Sequence, residues 1–252
     1  MHDDVRSRFA PVAANYVTSS FHADAAALEE VVELCQPRPE DEALDVATGT
    51  GHTALALAPH VRRVVGFDLT PEMLDQARRL SAERGVENVD WILGDAEALP
   101  FPAASFDLYT ARAAPHHFRR LAKALAEAHR VLRPGGRAVF VDCSPPPEAR
   151  DLLHEVEVRR DPSHILSRTL DEWSSLLEEA GFTVEVLRRM EEAWEFEAWI
   201  RRMGVSPNVT EELAVIVEQA EGPARAALQP ERREGKLFHR YWHAQIRARK
   251  RG

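Results

Sequence analysis

Short apolar runs that stop at an acidic or glycine-bearing turn, each followed by a stretch with helical spacing, recur along most of this chain of 252 residues. Ala43 to Val46 runs into Ala47-Thr48-Gly49-Thr50-Gly51 and then a helix-forming stretch through Leu55, Leu57 and Ala58. Val64 to Phe67 stops at Asp68, after which Thr70 offers an N-cap hydroxyl, Pro71 fits the first helical position and Gly85 marks the stop. Val89 to Leu93, Phe106 to Thr110 and Ala138 to Val141 continue the strand series, the last preceded by a helix through Leu121, Leu125, Ala128 and Leu132 and a break at Pro134-Gly135-Gly136. Thr169 and Glu172 fit a capping box before Trp173, Leu176, Leu177 and Ala180; Gly181 then ends that helix before a sixth strand, Phe182 to Leu187. Strands alternating with helices imply an α/β fold, a mainly parallel sheet with right-handed crossovers and helices on both faces.

A helix from Asp24 to Cys35, closed by Pro37 and Pro39, precedes the first strand. Pro145 to Arg168 and Glu195 to Leu228 fall outside the repeat and read as extra helices over one sheet edge. Lys236 to Arg251 holds six basic residues and no acid. A near-alternating pattern at Phe238, Trp242 and Ile246 reads as a last strand with a solvated face, bringing the sheet to about seven; the alternative is a basic tail for nucleic acid. The expected organisation is one domain, with residues 1–22 as an N-terminal lid, 43–143 as the binding core, and 145–168 and 195–228 as cap insertions.

Charge narrows the functional classes. Lys plus Arg number 32 against 41 Asp plus Glu, a net charge of −9, which disfavours a binder of the phosphate backbone. No apolar run approaches the ~20 residues of a membrane-spanning helix, and the first ten residues contain no secretory apolar region, so a cytoplasmic location is expected. Cys35 and Cys143 form no CxxC pair and read as reduced, partly buried thiols; no cluster has metal-ligand spacing.

In an open α/β sheet, ligands bind beyond the carboxyl ends of the strands. Gly49 and Gly51 there allow close backbone approach, and the helix that follows presents free N–H groups. Asp68 is placed to accept both hydroxyls of a ribose, and an acid there repels a 2′-phosphate. Gly94-Asp95-Ala96 follows the third strand, so that Asp95 can accept from an adenine amino group and the Ala96 N–H can meet the ring. Three strand ends then address one adenosine, although the glycine turn by itself is also compatible with a purely structural role.

At these residues the chain resembles the class I S-adenosylmethionine-dependent methyltransferases, in particular the small-molecule branch that includes the ubiquinone and menaquinone biosynthesis methyltransferases. The resemblance runs from about Leu44 to Phe182 and rests on the order of L-D-V-A-T-G-T-G, G-F-D-L, G-D-A-E-A-L-P-F, S-F-D-L and L-R-P-G-G-R. Ala47 departs from the glycine that many relatives carry. The resemblance implies a Rossmann-like doubly wound sheet whose last strand is antiparallel, with S-adenosylmethionine as the cofactor. It implies that Asp45, Ala47, Thr48 and Gly49 border the methionine portion, Asp68 and Leu69 the ribose, Asp95 and Ala96 the adenine. Met73 would pack near the ribose or adenine, and the Thr110 carbonyl would receive the methionine amine. Tyr16 would close over the carboxylate, its alternative role being to dock an N-terminal helix.

Methyl transfer needs positioning, a dry site and a base only where the nucleophile must lose a proton. His116 and His117, in A-A-P-H-H-F after the fourth strand, are candidates for that base, or for anchoring the loop. Arg112 and the run Arg160-Asp161-Pro162-Ser163-His164 are further candidates: similar sequences carry R-D-P-S-H over the acceptor site, where Arg160 and His164 would meet an anionic or oxygen-rich substrate, unless Arg160 and Asp161 form a surface turn. His22 either faces the same cavity or is structural, as a lone histidine near a helix start commonly is. Phe9, Trp194, Phe196 and Trp199 suggest apolar cavity walls, or core.

The expected activity is methylation of a carbon or oxygen of a small-molecule acceptor. The alternative is a catalytically silent S-adenosylmethionine-binding protein that works through partners. A nucleic-acid methyltransferase is disfavoured by Thr110-Ala111-Arg112-Ala113 where an N-P-P-Y loop would stand, and a nicotinamide oxidoreductase by the missing third glycine.

Overall fold

The computed structural model describes residues 3–17, 19 and 22–251. Met1, His2, Thr18, Ser20 and Phe21 of the expected lid lie outside the described residues. The helices are α1 (Asp3–Phe9), α2 (Ala13–Val17), α3 (Ala25–Cys35), α4 (His52–Leu57), α5 (Pro71–Glu83), α6 (Leu121–Val131), α7 (Pro147–Arg160), α8 (Leu170–Glu179), α9 (Phe196–Arg201), α10 (Pro207–Glu218) and α11 (Gly222–Leu228). The strands are β1 (Glu42–Val46), β2 (Arg63–Asp68), β3 (Val89–Leu93), β4 (Phe106–Arg112), β5 (Leu132–Cys143), β6 (Phe182–Glu195), β7 (Glu231–Arg233) and β8 (Lys236–Lys250).

The sheet order is β3-β2-β1-β4-β5-β8-β6, with the short β7 paired onto β8 off this path. Strands β3, β2, β1, β4 and β5 are parallel, and β8 runs antiparallel between β5 and β6. Order reverses at β1 and β4, so their carboxyl ends open the crevice in which a doubly wound sheet holds its ligand.

Alternation along each strand divides the core into two layers. Leu44 and Val46 pack with Leu121, Leu125, Trp173 and Leu177 on one face, whereas Ala43 meets Leu34, Ala54 and Leu57 on the other. The local signals act as expected at two helices. Asp24 accepts the Ala27 N–H at 2.8 Å, and Thr169 and Glu172 form a reciprocal capping box that satisfies two otherwise orphaned donors. Thr70 precedes α5 without capping it, because its hydroxyl turns back toward the Asp68 carboxylate.

Three expectations change. Pro134-Gly135-Gly136 does not delay β5, which begins at Leu132; a register shift between Phe106 and Leu108 on the partner strand absorbs the irregularity. Strand β6 runs on to Glu195 because β8 offers it a partner as far as Phe238. The solvated face expected of β8 is missing in its middle, where Tyr241 to Ile246 are all buried. Helix α3 covers one side of it, with Gln245 donating to Glu30 at 2.8 Å, and the Trp173 core receives Ala244 and Ile246 on the other. The basic residues Arg247 and Arg249 share Glu185 instead of forming a free tail.

Helices α7, α9 and α10 form a separate apolar cluster over β8, in which Phe196, Trp199 and Ile200 meet Val156, Leu213, Val217 and Tyr241. This cap stands at the carboxyl end of β5, where the main crevice also opens.

Candidate active site

The turn after β1 is held from below. Asp45, buried at the end of β1, accepts the Thr48 hydroxyl at 2.5 Å and the Thr110 hydroxyl at 2.7 Å. Burial pushes its carboxyl up to about 6, against the pull of those two donors. Asp68 accepts the Gly49 N–H and the Thr70 N–H, both at 2.8 Å, and its burial likewise raises its pKa. Ala47 sits at φ +53°, a left-handed conformation that costs a residue with a Cβ about 1 kcal/mol and accounts for a glycine preference at that position.

The glycines differ in role. Gly49, at φ +55°, has no heavy atom within 4 Å of where a Cβ would stand, so it leaves open space in the crevice. Gly51 faces the other way: a Cβ there would lie 2.4 Å from the Trp91 indole, so its smallness serves packing beneath the turn and not approach by a ligand.

A cleft of about 1110 Å³ opens above this turn. Tyr16, Asp45, Ala47, Thr48, Gly49, Asp68, Leu69, Met73, Asp95 and Ala96 all line it. Gly51 and Thr110 do not. Strand β4 continues past Thr110 to Arg112, so the residues that reach the cleft are Arg112, Ala113 and Ala114. The Asp95 carboxylate is turned to the Glu97 N–H at 2.9 Å, which fixes the turn at the end of β3.

The N-terminal segment roofs the cleft. Tyr16 stacks edge-on against Phe9 at 5.7 Å, and its hydroxyl donates to the Met203 sulfur at 3.0 Å. Its carbonyl accepts from His52 Nε2 at 3.1 Å, so the residue also docks α2, and both roles considered for it are compatible. Arg112 donates to the His22 carbonyl at 2.6 Å and to the Thr53 hydroxyl at 3.2 Å. It therefore ties the roof to α4, and burial lowers its pKa to about 10.

A second cavity of about 610 Å³ lies beyond the roof. It shares Phe9, Tyr16, His22, Ala113 and His117 with the cleft, and its far wall carries Trp194, Trp199 and Tyr241. Arg112 and His164, both expected near an acceptor, are not among its lining residues. His164 is buried behind His116, their rings stacked at 5.1 Å, and Phe196 lies in the cap core. Arg160 lines the cavity but is buried, donates to Glu157 at 3.1 Å and lies 4.6 Å over Trp199, so the Arg160-Asp161 pair is no surface turn.

The two histidine-bearing motifs meet here. Ile165 donates its N–H to the His116 carbonyl at 2.9 Å, and His117 Nδ1 lies 3.1 Å from the Ser163 carbonyl. Since a carbonyl only accepts, Nδ1 carries the proton and Nε2 of neutral His117 is the bare nitrogen. Burial first, then the neighbouring His116 charge, pull His117 down to about 3. His116 behaves oppositely: burial opposes its charge, but Asp142, bonded to Nδ1 at 2.6 Å, holds it well above an ordinary histidine. His164 is pushed far below, by burial and then by both neighbours.

Asp142 escaped the sequence reading, although the signal was there: an acid closing an apolar strand at the same sheet edge as Asp68. The fold also brings Cys143 to this place. The ligand-type atoms of His116, Asp142 and Cys143 lie within 4.8 Å of one another, a grouping that sequence spacing did not show. Here His116 and Asp142 bond to each other, and the Cys143 thiol lies 2.8 Å from the Ser167 hydroxyl. Both cysteines are buried free thiols.

Residues 44–140 match the family described as a methyltransferase domain. The chain is 33% identical over 219 residues to the uncharacterized methyltransferase YcgJ of Bacillus subtilis, covering 86% of this chain and 87% of that protein. It is 36% identical over 185 residues to the ubiquinone/menaquinone biosynthesis C-methyltransferase UbiE of Dinoroseobacter shibae, covering 70% of each. The crystal structure of the Bacillus YcgJ protein superposes with a TM-score of 0.85 at 31% identity, covering 90% of this chain and 99% of that one.

Proposed function

The chain belongs to the class I methyltransferases, and from that premise we propose that it transfers a methyl group from S-adenosylmethionine to a carbon or oxygen of a small molecule held in the second cavity. The supporting observation is the shared wall: the cleft and the cavity have Phe9, Tyr16, His22, Ala113 and His117 in common, so a donor in one adjoins an acceptor in the other.

The cleft suits the donor. Gly49 leaves the space that a Cβ would fill, and acids stand at the ends of β1, β2 and β3. In this reading Asp68 and Leu69 hold the ribose, Asp95 and Ala96 the adenine, with Met73 beside them. Asp45 acts through Thr48 to hold the turn. Tyr16, Ala47 and Gly49 border the methionine end, Arg112 fastens the roof, and the Thr110 hydroxyl fixes Asp45. S-adenosylmethionine supplies an electrophilic methyl on a sulfonium whose positive charge disappears on transfer.

The chain's own residues do the rest. Phe9, Tyr16 and His22 from the N-terminal segment, with Arg160 and Trp199 from the insertions, cover the acceptor and exclude water. His117 receives the proton as the methyl arrives: held near 3, it leaves a resting O–H or C–H intact, but its bare Nε2 takes the proton from the far more acidic methylated oxygen or carbon, and Asp161, 3.9 Å away, stabilises the imidazolium that results. His116, already charged through Asp142, is a fixed cation beside it, and His164 supports the His116 ring.

Calorimetric titration with S-adenosylmethionine, together with transfer of an isotopically labelled methyl into metabolites of a cell extract, tests the reading. Asp68→Ala is expected to weaken donor binding at least a hundredfold, roughly two charge-assisted hydrogen bonds. His117→Gln should leave binding intact and stop labelling. Unchanged binding in Asp68→Ala would refute the adenosine assignment.

A further inference from the structure

A third cavity, of about 1330 Å³, adjoins the second one and shares Val141, Trp194, Trp199, Arg202 and His243 with it. It lies between the first turns of α3, the far end of β6, and α9. Among the described residues, the one it has in common with the donor cleft is Arg112.

Four carboxylates line this outer space, Asp24, Glu30, Glu192 and Glu195, against the two cations Arg112 and Arg202. Asp24 receives the Ala27 N–H, Glu30 the Gln245 amide, and Glu192 the Trp194 indole N–H at 3.0 Å. These donors are neutral, and Asp24 is the one of the three that also faces a rim cation, Arg112. Glu195 is matched by Lys236 at 2.8 Å. His243 lies 3.8 Å from Glu192, but burial keeps it below the ordinary histidine range. In the inner cavity, by contrast, opposite charges stand side by side as Arg160 with Glu157 and His116 with Asp142.

Resting on the methyl-transfer reading, we infer that the outer cavity is the vestibule through which the acceptor reaches the inner one, and that its acidic rim admits neutral or cationic molecules in preference to anions. Donor and acceptor then arrive from different sides of the roof. Val141, Trp194, Trp199, Arg202 and His243 are the residues that vestibule and inner cavity share, so an entering molecule passes two indole rings and one guanidinium. The charge of the rim acts on arrival and the paired interior is indifferent to it, so selection falls on the rate at which a molecule gets in.

Cys143 lines the inner cavity and reports on arrival there, while Cys35 is fully buried in the core. The full-length protein is treated, at alkaline pH because burial raises the Cys143 thiol, with two methanethiosulfonates of similar size, one ending in trimethylammonium and one in sulfonate. Mass spectrometry follows Cys143, and each rate is divided by that of a free thiol in solution. The cationic reagent is expected to be roughly tenfold faster after this correction, with the difference shrinking as salt is added. Glu30→Gln with Glu192→Gln should reduce the ratio severalfold. Ala198→Trp, at an exposed position on the vestibule, should slow both reagents, whereas saturating S-adenosylhomocysteine should slow neither.

Equal corrected rates for the two reagents would overturn the charge selection. Protection by S-adenosylhomocysteine with indifference to Ala198→Trp, or no modification of Cys143 by either reagent, would overturn the route. The readout needs no turnover, so a protein that shows the expected pattern yet transfers no methyl would refute the methyl-transfer reading alone.

Discussion

His116 Nδ1 donates to Asp142 Oδ1 at 2.6 Å, joining the loop after β4 to the end of β5 in the wall of the second cavity. The His116 pKa is raised above its unfolded value, so the pair's contribution to stability is fully present below about 6.5 and fades as pH rises through the folded value. Asp142→Asn should therefore cost about 3 kcal/mol at pH 6 and progressively less in alkali, read by urea denaturation at both ends. An equal loss at both would show that Asp142 acts by packing alone.

His239 carries the opposite sign. Buried among Phe196, Trp199 and Tyr241, it is held down at about 4, so below about 6.5 the unfolded chain binds a proton that the folded chain refuses. Stability then falls with pH by about 1.4 kcal/mol per unit from this group. His239→Phe should flatten the urea stability profile between pH 6 and 4 by that slope; an unchanged slope would mean that His239 is protonated in the fold.

Gly49 and Gly51 are predicted to separate binding from stability. Gly49→Ala places a Cβ in open space at φ +55°, costing about 1 kcal/mol of stability and at least tenfold in S-adenosylmethionine affinity. Gly51→Ala drives a Cβ into the Trp91 indole at φ +86°, which should cost about 3 kcal/mol with a smaller effect on the affinity of the folded protein. Thermal melts and calorimetry on both variants would expose a reversed order.

Arg112→Ala removes the donor to the His22 carbonyl and the Thr53 hydroxyl. Amide exchange over residues 22–28 should rise at least tenfold, with donor affinity falling by a similar factor, since hydrogen bonds to a charged group are worth about 1.5–3 kcal/mol. Unaltered exchange would show the roof to be fastened elsewhere, for instance through Arg8, which donates to the Arg160 and Met203 carbonyls at 2.9 and 2.7 Å.

The cleft was legible because each of its parts is local: an apolar run, a turn and a helix start within about a dozen residues, with Asp45, Asp68 and Asp95 at the strand ends. Thr110 and Gly51 show where that legibility ends. Whether a strand stops at residue 110 or runs two residues further depends on its partner β5, and what a glycine spares room for depends on Trp91, 40 residues away in sequence. The acceptor side resisted for the same reason. Arg160 looks like an anion receptor in isolation, but Glu157, one helical turn back, already takes its charge. Neither the Asp142 partnership nor the vestibule has a sequence motif, since each is assembled from segments that meet only in the fold.

The placing of β8 between β5 and β6 has a consequence for the order of assembly. About a hundred residues separate Cys143 from Phe238, and β6 has no lateral neighbour in the sheet until β8 arrives. Loop-closure entropy makes the β5–β8 pairing, 100 residues apart between Cys143 and His243, later than the β1–β4 pairing at 65 between Ala43 and Leu108. The cleft can thus take shape on a half-built sheet, and its occupation by a ligand at that stage would favour the compact chain by mass action. The second cavity waits for the strand that closes it, so on the proposed reading S-adenosylmethionine would act as a folding template for the half of the protein that binds it.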